Sequence, residues 1–327
     1  NKDLIMSKQQ PPRALLRTRL LAAFLLGCLA IGGALAAPRP ASATPPAQET
    51  GGSLYLPHIV HQSCKVMQTP SLMGTQLYEG APIGSPYHQP LLESGATWAR
   101  VALNWADAEP ANTTPDKYKW AHADAQTALA VQRCWPLLIT IGGNPAWASS
   151  LSEGYLDKVS ASELAEFMGA LAERYDGDGV QDAPGSPKVL YFELYNEPDV
   201  GDASINERWG DHPEKYAAML KAVYPAIKAA NSQAQVVFGG IAYDYFTDQD
   251  PTFPENNGPF VRTFFPNVLK NGAGPYFDIM NYHFYPLFGP NWTEDPPMDG
   301  PGLVEKTEAV RAIMRTYNVS KPVIITE

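Results

Sequence analysis

The chain has 327 residues, 45% of them hydrophobic and 11% aromatic, which is enough for one large core on the scale of an α/β barrel. Its net charge of −10 deepens to −14 over the body, because five of its 24 basic residues and one of its 34 acidic residues lie in the first 36 positions. Such a surface repels phosphate backbones, which excludes nucleic acid as a partner class and favours a neutral polymer or small neutral ligand.

Residues 1–37 have the layout of an export signal. A basic arm to Arg19 precedes an apolar run from Leu20 to Ala37, and Ala34-Leu35-Ala36 has the small-x-small form of a cleavage site. The run is also close to the shortest membrane span, about 17–20 residues, so an uncleaved N-terminal anchor is the alternative. Both readings place the body of the protein outside the cytoplasm. Residues 38–53, rich in Pro, Ala, Ser and Thr, read as a semi-extended linker, and the globular part is expected over residues 54–327. Cys28 belongs to the apolar run. Cys64 and Cys134 remain, enough for one disulfide but not for a metal framework.

Short apolar runs then alternate with longer helical patterns. Strands are predicted at Met73–Leu77, Thr97–Leu103, Pro136–Ile141, Val189–Tyr195, Gln235–Gly240, Phe277–Phe284 and Pro322–Thr326. Helices are predicted at Tyr87–Ser94, Tyr118–Arg133, Ala161–Tyr175, Pro213–Ala230, Pro259–Asn271 and Gly302–Tyr317. In the third helix Leu164, Phe167, Met168 and Leu171 share one face. Regular alternation of this kind means βαβ units and a parallel sheet. The expected fold class is α/β, a (β/α)8 TIM barrel incomplete at its C-terminus, with strand eight absent. A doubly wound open sheet fits less well. No Gly-x-Gly-x-x-Gly turn follows the first strand, and polar residues gather at strand C-termini throughout.

Those strand exits carry the chemistry. Strand two contains Arg100 and leads into Asn104-Trp105, then Glu109-Pro110; strand three leads to Gly142-Gly143-Asn144 and Trp147. Strand four delivers Tyr195-Asn196-Glu197-Pro198, strand five precedes Tyr243, strand six carries His283 and Tyr285, and strand seven runs into Glu327. In a barrel these side chains meet on one face. Two carboxylates there suit glycosidic cleavage, which needs a proton donor for the leaving oxygen and a carboxylate for the anomeric carbon. Flat aromatic walls such as Trp105, Trp147 and Trp292 suit the C–H faces of sugar rings.

With those residues in order, the sequence resembles the clan A glycoside hydrolases, retaining (β/α)8 enzymes. Their acid/base follows an asparagine at the end of strand four, and their nucleophile is a glutamate at the end of strand seven. The matching positions are Asn196-Glu197-Pro198 and Ile324-Ile325-Thr326-Glu327, and the residues between them leave room for three βα units. Arg100 matches the arginine that contacts the nucleophile. Trp105…Glu109-Pro110 and Asn281-Tyr282-His283-Phe284-Tyr285 extend the likeness, which runs from about residue 66 to 327 and is nearest the β-xylosidase/iduronidase-like and cellulase-like branches. The resemblance implies Glu197 as acid/base, Glu327 as nucleophile and Asn196 as a ligand of the sugar 2-hydroxyl. It further implies that Arg100, His283, Tyr285, Trp105 and Trp147 surround a carbohydrate substrate, with no cofactor and no metal.

Each residue also has a plainer reading: a turn carboxylate for Glu197, a buried ion-pair partner for Arg100, a core histidine for His283 and loop packing for the two tryptophans. Glu193, on the same strand face as Glu197, reads as a polar partner within the barrel. The run Asp176-Gly177-Asp178-Gly179 resembles part of a calcium loop without the closing glutamate of an EF-hand, and is expected to be an exposed turn. Two other activities use the same cleft: a non-catalytic glycan-binding barrel, and a cell-wall transglycosidase acting through the same glutamates.

Overall fold

The computed structural model describes residues 73–77, 90, 93–132, 135–202, 204–244, 256–257, 259–285 and 301–327. The expected leader and linker, Cys28, Cys64, Cys134, Trp292 and most of the helix expected at 87–94 lie outside the described residues.

Strands form at all seven apolar runs. Five of them, β1 (Gly74–Leu77), β2 (Trp98–Asn104), β3 (Leu137–Gly142), β4 (Tyr191–Asn196) and β5 (Gln235–Gly240), make one parallel sheet in sequential order. Next come β6 (Met280–Tyr282) and β7 (Val323–Ile325), parallel to each other. Single parallel bridges at Val237–Ile279 and Ile241–Tyr282 join β6 to β5. That seam is irregular for a local reason. The Gly240 N–H donates to the Glu193 carboxylate (3.0 Å) rather than to the ladder, and a Cβ at Gly240 would stand 2.2 Å from His283 Nε2. The architecture is α/β with a parallel sheet wound strand by strand, consistent with a TIM barrel.

β3 shows why such a sheet holds. Leu137 to Ile141 are all buried, as expected when both faces of a parallel strand are covered. The covering layer consists of α1 (Ala121–Gln132), α2 (Ala161–Arg174), α3 (Pro213–Ala230), α4 (Phe264–Lys270) and α5 (Leu303–Thr316). Ser160 caps α2 by accepting from the Ser162 N–H (3.3 Å), and the predicted face of Leu164, Phe167, Met168 and Leu171 is fully buried. Each of those side chains contributes roughly 1.5–3 kcal/mol by leaving water.

One helix is shorter than its sequence predicts. Residues 259–271 read as a single helix, but Asn256–Asn257 and Phe260–Val261 pair as a small antiparallel ladder and α4 begins only at Phe264. The cause is tertiary. The Val261 N–H donates to Asp199 O (2.8 Å) and Pro259 O accepts from Gly201 (2.7 Å), so the segment is drawn against the loop that follows β4.

Candidate active site

The centre of the site is a buried carboxylate within β4. Glu193 is fully buried and accepts from Arg100 Nε (2.7 Å), Arg100 Nη2 (3.2 Å), Gly240 N (3.0 Å), Asn281 Nδ2 (2.7 Å) and the Thr140 hydroxyl. Its role as polar partner is thus that of an anchor for Arg100. A buried ion pair is tolerable only when its remaining donors and acceptors are satisfied, and here they are.

Arg100 spends its other nitrogens on the rim above. Nη1 donates to Glu327 Oε1 (2.5 Å) and Gln76 Oε1 (3.1 Å), and Nη2 donates to Asn196 Oδ1 (2.7 Å). The expected contact between Arg100 and Glu327 therefore forms, and the arginine also fixes Asn196 so that its amide N–H groups remain for a ligand. Tyr285 completes the clamp, its hydroxyl donating to Glu327 Oε2 (2.6 Å). Burial alone would push the Glu327 carboxyl up. The facing His283, the Tyr285 hydroxyl and Arg100 outweigh it and hold the group below the usual carboxylate range.

Glu197 reaches the same place by a kink. Tyr195 and Glu197 both lie in left-handed backbone (φ 68° and 46°), which costs on the order of 1–3 kcal/mol for each residue without glycine's freedom. The kink is held by Glu197 N–H to Gly240 O (3.0 Å) and by the Tyr195 hydroxyl to Asn144 Oδ1 (2.6 Å). His283 Nδ1 then lies 2.9 Å from Glu197 Oε1 and 3.7 Å from Glu327 Oε2. One carboxylate oxygen from each glutamate and the imidazole nitrogen all fall within 4.8 Å of one another. His283 Nε2 is packed against Gly240 without a partner among the described residues, so Nδ1 is the ring nitrogen that faces the two carboxylates.

His283 lies one residue past the end of β6, and its backbone is braced from behind. Lys306 of α5 is fully buried, with Nζ donating to His283 O (2.8 Å), Ala242 O (3.2 Å) and Asp244 Oδ1 (2.7 Å). Burial draws the Lys306 ammonium down in pKa, against the pull of Asp244, Asp199 and Glu197. Asp199 caps the same loop through the N–H groups of Ala242 and Tyr243, and burial raises it to about 6 despite those bonds and Lys306.

Two expected contributors sit elsewhere. Trp105, 1% exposed, stacks on Phe167 of α2 at 5.7 Å, and its indole N–H donates to Glu109 Oε2 (2.8 Å). Trp147 packs edge-on against Trp105 at 5.2 Å and donates to Glu109 O (3.0 Å). Neither is among the described residues that line the cavity; in this arrangement both rings pack within the protein. Trp105 opens a one-turn helix (Trp105–Ala108) whose apolar side faces α2, so hydrophobic burial claims the ring. Trp209 is the tryptophan among the described cavity-lining residues.

Around this centre lies a cavity of about 730 Å³ lined by Gln76, Arg100, Thr140, Asn196, Glu197 and Glu327, among others. Gln76, Thr140 and Lys306 do not stand out in the sequence, and Asn281 does so only within the Asn281–Tyr285 run. Thr140 and Asn281 had a further signal: each is a polar side chain buried in a mostly apolar strand. Lys306 had none, because a lysine on an amphipathic helix ordinarily faces water.

Glu197, His283 and Glu327 have the donor types of a metal site, but both Glu327 oxygens are taken by Arg100 and Tyr285, and the guanidinium charge opposes a cation there. Asp176, Asp178 and Asp182 also approach one another. Their oxygens accept from Asp178, Val180 and Gly179 N–H groups, the pattern of a self-capped turn.

Comparison with solved structures agrees with this architecture. A glucosidase from Croceicoccus marinus superposes with a TM-score of 0.52 at 18% identity, over 77% of this chain and 50% of that one. The fold matches that of glycoside hydrolases. A family 39 glycoside hydrolase from Bacteroides cellulosilyticus WH2 (TM-score 0.47, 17% identity, 77% and 55% covered) is also similar. So is a GH39 β-xylosidase from Caulobacter crescentus (0.47, 15%, 72% and 47%). The chain spans about half the length of these structures. No protein-family model matches it, and no curated protein matches it significantly.

Proposed function

We propose that this chain carries the catalytic site of an exported retaining glycoside hydrolase acting on β-linked oligo- or polysaccharides. One observation carries the reading. One oxygen of Glu197 and one of Glu327 fall within 4.8 Å of each other, a closeness that fits carboxyl groups about 5–5.5 Å apart, where one attacks carbon directly, better than groups about 6.5–9.5 Å apart with a water between them.

The two environments divide the labour. Glu327, held ionised by His283, Tyr285 and Arg100, attacks the anomeric carbon as the bond to the leaving oxygen breaks. Glu197 gives its proton to that oxygen. In the second half Glu197 takes a proton from water, whose oxygen displaces Glu327 and restores both groups. Asn196, with its carbonyl fixed by Arg100, directs its amide donors at the sugar hydroxyl next to the reacting carbon.

A 2-fluoro aryl β-glycoside, which slows the second half, tests this reading. Peptide mass analysis is expected to find the sugar on Glu327, and product NMR is expected to show retained configuration. Label on another residue, or inverted product, overturns the proposal.

A further inference from the structure

At the exit of β3 the cavity has a second polar cluster that the two-glutamate chemistry does not use. Gly142 and Gly143 lead out of the strand, and their missing side chains make its space. A Cβ on Gly142 would stand 3.2 Å from Glu153 Oε2. One on Gly143, whose φ is +68°, would stand 2.4 Å from the Asn104 side chain. Glu153 is seated there by Gly143 N–H to Oε1 (2.9 Å), and among the described residues nothing donates to Oε2. Arg208 lines the same cavity as Glu153; among the described residues its side chain has no hydrogen-bond or ion-pair partner, and its Nε is shielded from solvent without one. A shielded guanidinium N–H without a partner beside such a cleft is unusual, because burying a polar group unpaired costs free energy.

We infer that Glu153 and Arg208 form a binding subsite for a second, neutral sugar residue of the substrate, reading a pair of adjacent hydroxyls with one acceptor and one donor set. This rests on the glycosidase reading and narrows it to an enzyme that recognises oligosaccharides rather than single glycosyl units. Two physical points select a neutral sugar. Vicinal hydroxyls both donate and accept, which matches a carboxylate and a guanidinium that line one cavity. The described lining charges leave no surplus for an anion: Arg100 and Arg208 stand against Glu153, Glu197 and Glu327, so even with Glu197 protonated these charges only cancel. The apolar wall of Leu77, Leu103, Ile141 and Val200 in the same cavity suits the C–H faces of sugar rings. Burial raises the Glu153 carboxyl, against the Gly143 N–H and Arg208, so its acceptor strength is pH-sensitive.

The experiment compares Glu153→Ala, Arg208→Ala and the milder Glu153→Gln and Arg208→Lys with the parent protein. Calorimetry measures binding of cellotriose, xylotriose, β-1,4-galactotriose and trigalacturonate, and kinetics compare trisaccharide with aryl monoglycoside cleavage. Circular dichroism confirms that each variant is folded, and the mild pair replaces any alanine variant that is not. At least one neutral trisaccharide is expected to bind the parent, and each alanine variant is expected to weaken it tenfold or more. The loss in kcat/KM on the trisaccharide should exceed the loss on the aryl monoglycoside by at least tenfold, through KM rather than kcat.

Equal losses on the two substrates overturn the subsite and leave the hydrolase reading standing. Trisaccharide binding that depends on Glu153 and Arg208 without any hydrolysis supports the subsite and sinks the hydrolase reading. Tighter binding of trigalacturonate than of every neutral sugar, or no binding by any of the four, overturns the inference.

Discussion

Arg100 Nη1 lies 2.5 Å from Glu327 Oε1, joining residues 227 positions apart, while the same guanidinium holds Glu193 through Nε at 2.7 Å. One arginine thus ties the buried interior of the sheet to the carboxylate proposed to attack the sugar. Removing it strands two carboxylates together. Arg100→Met is expected to cost about 3–5 kcal/mol of stability, the usual penalty for breaking a buried pair from one side. Urea denaturation measures it. Arg100→Lys keeps the charge but cannot serve Glu193, Asn196 and Glu327 together, so it should recover part of the stability and little activity.

The two glutamates should fail in different ways. Glu197→Gln is expected to slow cleavage of glycosides with poor leaving groups by about 10²–10⁴-fold, the usual contribution of a positioned proton donor, and to slow activated aryl glycosides less. Glu327→Gln removes the attacking atom and should leave background rates on both. Steady-state kinetics on paired substrates decide the assignment, and similar losses for both variants across both substrates would count against it.

Stability should respond to pH in opposite senses at two carboxylates. Glu327 has a depressed folded value, so its contribution is full above the unfolded carboxylate value near 4.3 and disappears as pH falls through the folded one. Glu109 is the reverse: burial raises it to about 7, assisted by Asp116, Glu163 and Glu166 and opposed by the Trp105 N–H. Its neutral form is favoured by folding, so its contribution is full below about 4.5 and is lost as pH rises to 7. At about 1.4 kcal/mol per pKa unit the full loss corresponds to roughly 3–4 kcal/mol, reduced by solvent screening where water reaches the group. Thermal melts of the parent and Glu109→Gln from pH 4.5 to 8 test this, and the variant should be flatter over the upper part of that range.

Lys306 offers a test of positioning. It touches no reacting atom, yet it holds the His283 carbonyl and places a charge in the field of Glu197. Lys306→Met should lower kcat more than it raises KM. It should also move the alkaline limb of the pH–rate profile to higher pH, since a cation favouring nearby ionised carboxylates is gone. If Lys306→Met proves too unstable, Asp244→Asn loosens the same brace from its other end. Loss of stability with an unchanged pH profile would make the lysine purely structural.

The sequence determined the elements and much of the centre. Apolar runs bounded by Gly, Pro and polar residues located β1 to β7, because a strand buried on both faces needs a continuous hydrophobic stretch. Polar residues at strand ends or interrupting those runs pointed to Arg100, Glu193, Asn196, Glu197 and His283, because a parallel sheet tolerates such groups only where they have work or partners. What the tertiary structure alone decided were the choices between competing partners. Trp105 had to choose between a sugar face and Phe167, and packing against α2 claimed it. Phe260 and Val261 had helical neighbours but paired with Asn256–Asn257 beside Asp199. Lys306 reads as a surface lysine until His283, Ala242 and Asp244 are found around it. Local pattern determines which atoms seek burial or a bond. Which distant atoms answer is set only when the chain closes, since the energies at stake belong to pairs dozens to hundreds of residues apart.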